Sequence, residues 1–119
     1  MHELPITEEV LKVVLKHAAV NQVERVVGIT LKVGELRDLI EEWMQRYFDY
    51  LSRDTIAEGA KIKFIRTPIV IRCEECGKSF NIILKEWMET KSFSCKHCGG
   101  TKTALLSGRE FSIEGIEVI

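Results

Sequence analysis

Apolar residues first recur at helical spacing, at Val10, Leu11, Val14, Leu15 and Ala18. That spacing predicts a helix from about Glu8 to Val20. Thr7 is placed to cap it through its hydroxyl. Glu8 and Glu9 fall in the first turn, where the helix dipole favours anions, and Asn21 is the expected stop. The period then drops to two: Val27, Ile29, Leu31 and Val33 point one way, Val26, Gly28, Thr30 and Lys32 the other. This is the pattern of a half-buried strand over Arg25–Val33. After Gly34, the residues Leu36, Leu39, Ile40, Trp43, Met44, Tyr47, Phe48 and Leu51 form a long apolar stripe. The stripe predicts a second helix, roughly Asp38 to Ser52, laid over a sheet. Arg37, Asp38, Glu41 and Glu42 are assigned to its wet side.

Arg53 to Gly59 reads as a turn and Lys61 to Thr67 as a second strand, broken by Pro68. Ile69-Val70-Ile71-Arg72 runs into the first cysteine. Phe80, Ile82 and Leu84 alternate as a strand leaving that turn, and Phe93 leads back to the third cysteine. The last stretch is strand-like again, with Phe111 and Ile113 alternating and Ile116 and Val118 resuming in a shifted register after Gly115. A glycine at such a shift suggests a bulge. The expected fold is α+β: two helices on a three-stranded sheet whose third strand returns from the end of the chain. The lobe built this way is discontinuous, residues 1–68 and 108–119. Residues 69–107 form an inserted ribbon, and a core of that size needs a metal or disulfides to hold it.

Chemistry concentrates in the ribbon. Its four cysteines, which are all the chain has, stand as Cys73-Glu-Glu-Cys76-Gly77 and Cys95-Lys-His-Cys98-Gly99. Two residues between thiols let one turn aim both sulfurs at a point, and the glycine lets the backbone fold back. Two such turns face to face make the tetrahedral four-sulfur set of a closed zinc site. A rubredoxin-like iron site would use the same ligands. Two disulfides, or a pair of redox dithiols, are the other uses of this spacing. The dithiol reading requires each pair to open a helix, and neither is followed by a helical pattern.

Composition narrows the functions. The formal net charge is −1, which provides no field for gripping nucleic acid or an anionic membrane. Lys78, Lys85, Lys91, Lys96 and Lys102 give the ribbon a basic tint, balanced by Glu74, Glu75, Glu86 and Glu89. A ribbon acting as a nucleic-acid or protein-interaction adaptor is therefore the second reading. No apolar run approaches the ~20 residues of a membrane span. The opening residues lack the basic and apolar regions of an export signal, so a cytoplasmic, reducing setting is expected, in which thiols hold metal. No Ser/His/Asp set, phosphate loop or dinucleotide fingerprint is present. A non-enzymatic protein is expected, and any nucleotide-driven step belongs to a partner.

Several short motifs occur in a definite order: Met1-His2-Glu3-Leu4, Gly34-Glu35-Leu36, Ala57-Glu58-Gly59-Ala60, the two C-x-x-C turns, and Ser107-Gly108-Arg109-Glu110. As an ordered set spanning the chain, they resemble the HypA/HybF family of hydrogenase maturation nickel metallochaperones. The resemblance implies a cytoplasmic carrier of Ni(II) with a structural Zn(II). It implies delivery of nickel to the [NiFe]-hydrogenase large subunit precursor, together with the HypB GTPase. In some bacteria it implies service to urease maturation as well. It also places the nickel site on Met1, His2 and Glu3.

Those residues suit the task on their own chemistry. A histidine in second place keeps the initiator methionine. The α-amine, the His2 imidazole and the first backbone nitrogens can then form fused chelate rings, a nitrogen-rich set that suits Ni(II) or Cu(II). Both groups lose their protons near neutral pH. Glu3 can offer a carboxylate, its backbone nitrogen, or a hydrogen bond that orients the imidazole. His17 lies between Val14 and Ala18 and is expected at a partly buried boundary. His97, inside the second cysteine turn, is either plainly exposed or a further nickel ligand.

Overall fold

The computed structural model describes residues 3–90 and 94–119. The element order is α1 (Glu3–Val20), β1 (Val26–Gly34), α2 (Glu41–Leu51), β2 (Lys61–Thr67), β3 (Ile69–Cys73), β4 (Ser79–Ile82), α3 (Leu84–Thr90), β5 (Thr103–Ser107) and β6 (Phe111–Val118). The strands form two three-stranded sheets, ordered β2-β1-β6 and β4-β3-β5. The chain divides into two compact units. One is Met1–Lys32, Asp38–Ile65 and Ser112–Ile119, the other Val33–Arg37 and Arg66–Phe111.

In the first unit, α1 buries Val10, Leu11, Val14 and Ala18, the face its periodicity marks. It starts earlier than expected, at Glu3. Pro5 is the reason: in a first turn its missing N–H costs nothing and its fixed φ suits a helix. Thr7 is therefore an interior residue and not a cap. It is fully buried, and its hydroxyl donates back to the Glu3 carbonyl, satisfying itself locally. The far end closes at Gln22, in the left-handed region at φ 53°. Val23 N–H bonds the Ala18 carbonyl at 3.0 Å and Gln22 N–H the Ala19 carbonyl at 3.4 Å. That pair of bonds is a Schellman stop.

α2 begins at Glu41, three residues later than its stripe suggests, because Ile40 is extended (φ −109°, ψ 120°) and has no side-chain cap. Met44 and Phe48 are completely buried, while Ile40 and Trp43 stay 49% and 46% exposed. The aromatic stripe thus splits between core and surface. The polar side of α2 has structural work as well. Gln45 accepts from Ile62 N–H at 2.7 Å and donates to the Ala60 carbonyl at 3.1 Å. Glu41, read from its position as merely wet, accepts from Phe64 N–H. Together they satisfy backbone groups along the outer edge of β2, where a sheet is otherwise open to a stray strand. At the other edge, Arg25 and Ile119 exchange both of their backbone bonds, at 3.4 and 2.9 Å. That is the signature of an antiparallel pair, so the end of the chain returns to β1 as expected.

In the second unit, β4 and β5 flank β3 antiparallel, with Ile71 opposite both Phe80 and Leu105. β3 buries Ile69, Ile71 and Cys73, so the period of two carries the first cysteine onto the same face as its core. α3 corrects the extension of the strand through Leu84: the strand stops at Ile82 and Leu84 opens a helix. The alternation there is too short to tell strand from helix. Phe93 lies outside the described residues.

The same unit contains a close backbone junction. Gly34 N–H bonds the Glu110 carbonyl and Leu36 N–H the Gly108 carbonyl, each at 2.8 Å, and Glu35 N–H bonds the Thr67 carbonyl at 3.0 Å. A Cβ on Gly34 would overlap the Gly108 carbonyl. Gly108 itself has φ 127°, a conformation open to glycine. Its N–H donates to the Glu110 carboxylate, which holds that carboxyl below its ordinary value against the opposing effect of burial.

Two predictions follow from this junction. Gly34→Ala should destabilise the second unit toward the upper end of the about 1–3 kcal/mol that overpacking costs, seen as a lower unfolding midpoint. Glu110 has a folded pKa below its unfolded one, so its contribution is present above about pH 4.5 and fades as pH falls through the lower folded value. Glu110→Gln should flatten that acid limb in denaturation curves measured between about pH 3 and 6.

Candidate metal centre

The two cysteine turns are built alike. Cys73 N–H bonds the Lys78 carbonyl and Cys95 N–H the Gly100 carbonyl, both at 2.8 Å. Gly77 N–H returns to the Cys73 carbonyl and Gly99 N–H to the Cys95 carbonyl, both at 2.9 Å. Gly77 and Gly99 take φ of 77° and 75°, which is why glycine follows each second cysteine. The repeated turn therefore presents its thiols in one geometry twice.

Facing each other, the turns bring all four sulfurs within 4.8 Å of one another. Cys73 and Cys98 lie 3.6 Å apart, as do Cys76 and Cys95. Disulfide sulfurs sit at about 2.05 Å, so these are free thiols. A tetrahedron with zinc–sulfur arms of about 2.3 Å spaces its sulfurs by about 3.8 Å. The cage therefore has the size of a closed zinc site. Cys73 and Cys95 are buried, Cys76 and Cys98 exposed, so one sulfur of each turn is fixed by the core and the other closes from outside.

Electrostatics agree with a bound cation. Burial raises the Cys95 thiol, but the N–H groups of Cys98 and His97, at 3.4 and 3.3 Å, and the neighbouring thiols bring it down to about 6. At Cys98 the N–H of Gly100, at 3.4 Å, favours the thiolate. The Cys73 thiol, burial and the other two thiols outweigh it and push Cys98 up to about 12. Thiols this close cannot all ionise around an empty centre. A divalent ion removes that conflict, and its binding free energy becomes folding free energy for the unit. Zinc bound here would be held by Cys73, Cys76, Cys95 and Cys98 and would supply cross-linking, not reactivity.

The remaining candidates are spread elsewhere. Met1 and His2 lie outside the described residues. Glu3 is buried at the head of α1, and its carboxylate accepts from Ile40 N–H at 3.2 Å. Of the roles open to it, its carboxylate is thus engaged in tying the helix start to the segment before α2. His17 is exposed, not at a buried boundary, and its ring lies 3.4 Å from the Asn21 amide. Val14 and Ala18 are buried, while His17 falls on the exposed side of the helix. His97 is exposed and meets Phe80 edge-on at 6.5 Å. Two contributions had no trace in residue type: the backbone N–H groups of His97 and Gly100, and the Glu3–Ile40 bond. Only turn geometry and tertiary folding create them.

Fold and site together define a small metal-binding protein, an α+β unit joined to a four-cysteine zinc ribbon. The family described as hydrogenase/urease nickel incorporation, metallochaperone, HypA matches residues 1–118, and the chain belongs to that family. It is 37% identical over 118 residues to the hydrogenase maturation factor HypA of Dehalococcoides mccartyi (strain ATCC BAA-2266 / KCTC 15142 / 195), covering 99% of this chain and 94% of that one. It is 34% identical over 119 residues to the hydrogenase maturation factor HypA of Caldanaerobacter subterraneus subsp. tengcongensis, covering 99% of each. Among solved structures, the solution structure of a HypA protein matches with a TM-score of 0.71 at 16% identity, over 100% of this chain and 97% of that one. The solution structure of the Ni metallochaperone HypA from Helicobacter pylori matches with a TM-score of 0.64 at 14% identity, over 98% and 97%. These two likenesses support the fold. Nickel incorporation is the family's described role, and zinc suits the four-thiol cage.

Removing zinc should unfold the ribbon selectively. Cys73→Ala, or a strong chelator, is expected to release one zinc per chain and collapse the amide signals of β3, β4 and β5. The signals of α1 and α2 should persist. Zinc release should also increase toward acid pH, because protons compete for the thiolates.

Proposed function

We propose that this protein is a nickel carrier that binds Ni(II) at its N-terminus and hands it to the [NiFe]-hydrogenase large subunit precursor. The observation that carries the reading is the family match over residues 1–118, in a chain that opens Met1-His2-Glu3. The His2 imidazole is largely neutral near pH 7, and the α-amine, with a reference pKa near 8, becomes a nitrogen donor by losing its proton to the metal. Glu3 acts beside them as a positioning residue. Its buried carboxylate is bonded to Ile40 N–H, which anchors the helix immediately after His2 in sequence. An imidazole-and-amine site can be emptied by protons or by a competing ligand set, as cargo requires. The sulfur cage keeps its ion.

The carrier performs no catalysis in this reading. The nucleotide step belongs to the HypB GTPase, and urease maturation factors are further recipients in organisms that make that enzyme. The work takes place in the cytoplasm. Among the described residues no helix is long and apolar enough to cross a membrane.

His2→Ala should abolish nickel binding in equilibrium dialysis while leaving the zinc content and the fold unchanged. An added N-terminal residue should weaken binding because it removes the α-amine. Glu3→Gln should cost about 10–100-fold in nickel affinity if the carboxylate orients the site. His97→Ala, measured in parallel, tells whether a second imidazole takes part. Protonation of amine and imidazole opposes binding, so nickel occupancy should fall as pH drops through about 6.5. Unchanged occupancy in His2→Ala would refute the proposal.

A further inference from the structure

The four cage sulfurs are alike in kind but not in surroundings. Cys95 receives the backbone N–H of His97 at 3.3 Å and that of Cys98 at 3.4 Å. Cys98 receives the N–H of Gly100 at 3.4 Å, and Cys73 that of Cys76 at 3.5 Å. The Cys76 sulfur receives no N–H among the described residues; its partner is the Cys95 thiol, 3.6 Å away. The two turns therefore differ at their closing cysteines, although their backbone bonds match.

Access differs as well. Cys73 and Cys95 are buried, at 0% and 4% exposure, while Cys76 and Cys98 are exposed. A molecule arriving from solvent meets Cys76 or Cys98 first. Cys98 is the more guarded of the two. A Cβ built on Gly100 would overlap the Glu75 carboxylate and lie 3.2 Å from the Cys98 sulfur. The carboxylate and that sulfur thus flank the same small space, which narrows the approach to Cys98.

These differences rank the sulfurs as nucleophiles. Oxidation of cysteine follows thiolate character and exposure. An N–H bonded to a thiolate stabilises its charge, and that bond weakens as the charge moves into a new covalent bond. Cys76 alone among the four combines open access with no such bond.

We propose that Cys76 is the site at which a hydroperoxide oxidises the zinc-loaded ribbon, and that Cys95 resolves it to a disulfide spanning the two turns. With hydrogen peroxide, the Cys76 thiolate attacks one peroxide oxygen. An S–O bond forms, the O–O bond breaks and hydroxide leaves. The Cys95 thiolate then attacks the Cys76 sulfur. An S–S bond forms, the S–O bond breaks and a second hydroxide leaves. Two electrons pass from the sulfurs to the peroxide, and two protons from solvent turn both hydroxides into water. The 3.6 Å separation need close by only about 1.5 Å to reach disulfide length. Half of the four-thiolate set is then gone, and the remaining pair is too small a set for a closed zinc site. The new bond joins the same two turns that zinc joined, so it takes over the cross-link. The ion's permanence holds in a reducing setting, and peroxide is the challenge that ends it.

The test treats the zinc-loaded full chain with hydrogen peroxide, with and without the sulfenic-acid trap dimedone. Proteolysis and mass spectrometry then locate the products. With the trap, the adduct should sit on Cys76. Without it, one zinc should be released for each Cys76–Cys95 disulfide formed. The amide signals of β3, β4 and β5 should persist in this oxidised, zinc-free chain, whereas chelation of the reduced chain should collapse them. A thiol reductant with added zinc should restore the starting spectrum. A first adduct on Cys98, Cys95 or Cys73, a disulfide within one turn, or zinc retained after the disulfide has formed overturns the proposal. So does collapse of the strand signals on oxidation, which would show that the new bond cannot replace the ion.

Discussion

Mutual repulsion among four thiolates is the constraint on which the second unit depends. Their sulfurs lie within 4.8 Å of one another, too close for all to carry charge around an empty centre. The opposed shifts at Cys95 and Cys98 express that conflict. A divalent cation turns the repulsion into four bonds. The core around it is small: Ile69, Ile71, Phe80 and Ile82, with Cys73 and Cys95 themselves counted among its buried residues. Such a core cannot hold three short strands without the cross-link. The metal is therefore part of the hydrophobic cluster's integrity, and permanence is its function.

A cargo ion calls for the opposite physics. Imidazole is largely neutral near pH 7, an α-amine with a reference pKa near 8 gives up its proton to a metal, and both compete with protons in this range and lack the charge of thiolate. With the nickel site proposed above, separate donor sets, sulfur in the ribbon and nitrogen at the start of the chain, would let one ion stay while the other exchanges. Glu3 fits this division. Buried and bonded to Ile40, it belongs to the scaffold while adjoining the proposed site in sequence.

Three of the short motifs have structural work. Gly34-Glu35-Leu36 and Gly108-Arg109-Glu110 are two sides of one backbone junction, bonded at Gly34–Glu110 and Leu36–Gly108. Ala57 and Ala60 are fully buried, and Gly59 turns between them at φ 83°. Gly34 reflects a close approach of main chains, and Gly59 and Gly108 a backbone conformation open to glycine, constraints that hold whatever the protein's task. Their order along the chain identifies the fold, while the metal chemistry resides in residues of ordinary donor type.

Local spacing by itself determined the cysteine cage, the buried face of α1, the central strand β1 and the strand character of β6. In each case a short-range period or turn chemistry already implies the geometry, and tertiary contacts act in the same direction. Only the tertiary structure decided the rest. Thr7 became an interior residue because Pro5 allowed the helix to begin at Glu3. The α2 stripe divided between Phe48 inside and Trp43 outside because a helix pressed on a narrow sheet can bury only part of so wide an apolar arc. Leu84 opened a helix where a strand looked equally natural. Gln45, Glu41 and Glu3 became partners of distant backbone N–H groups, which residue type alone cannot reveal. A polar side chain reads as solvated until the fold brings an unsatisfied donor to it.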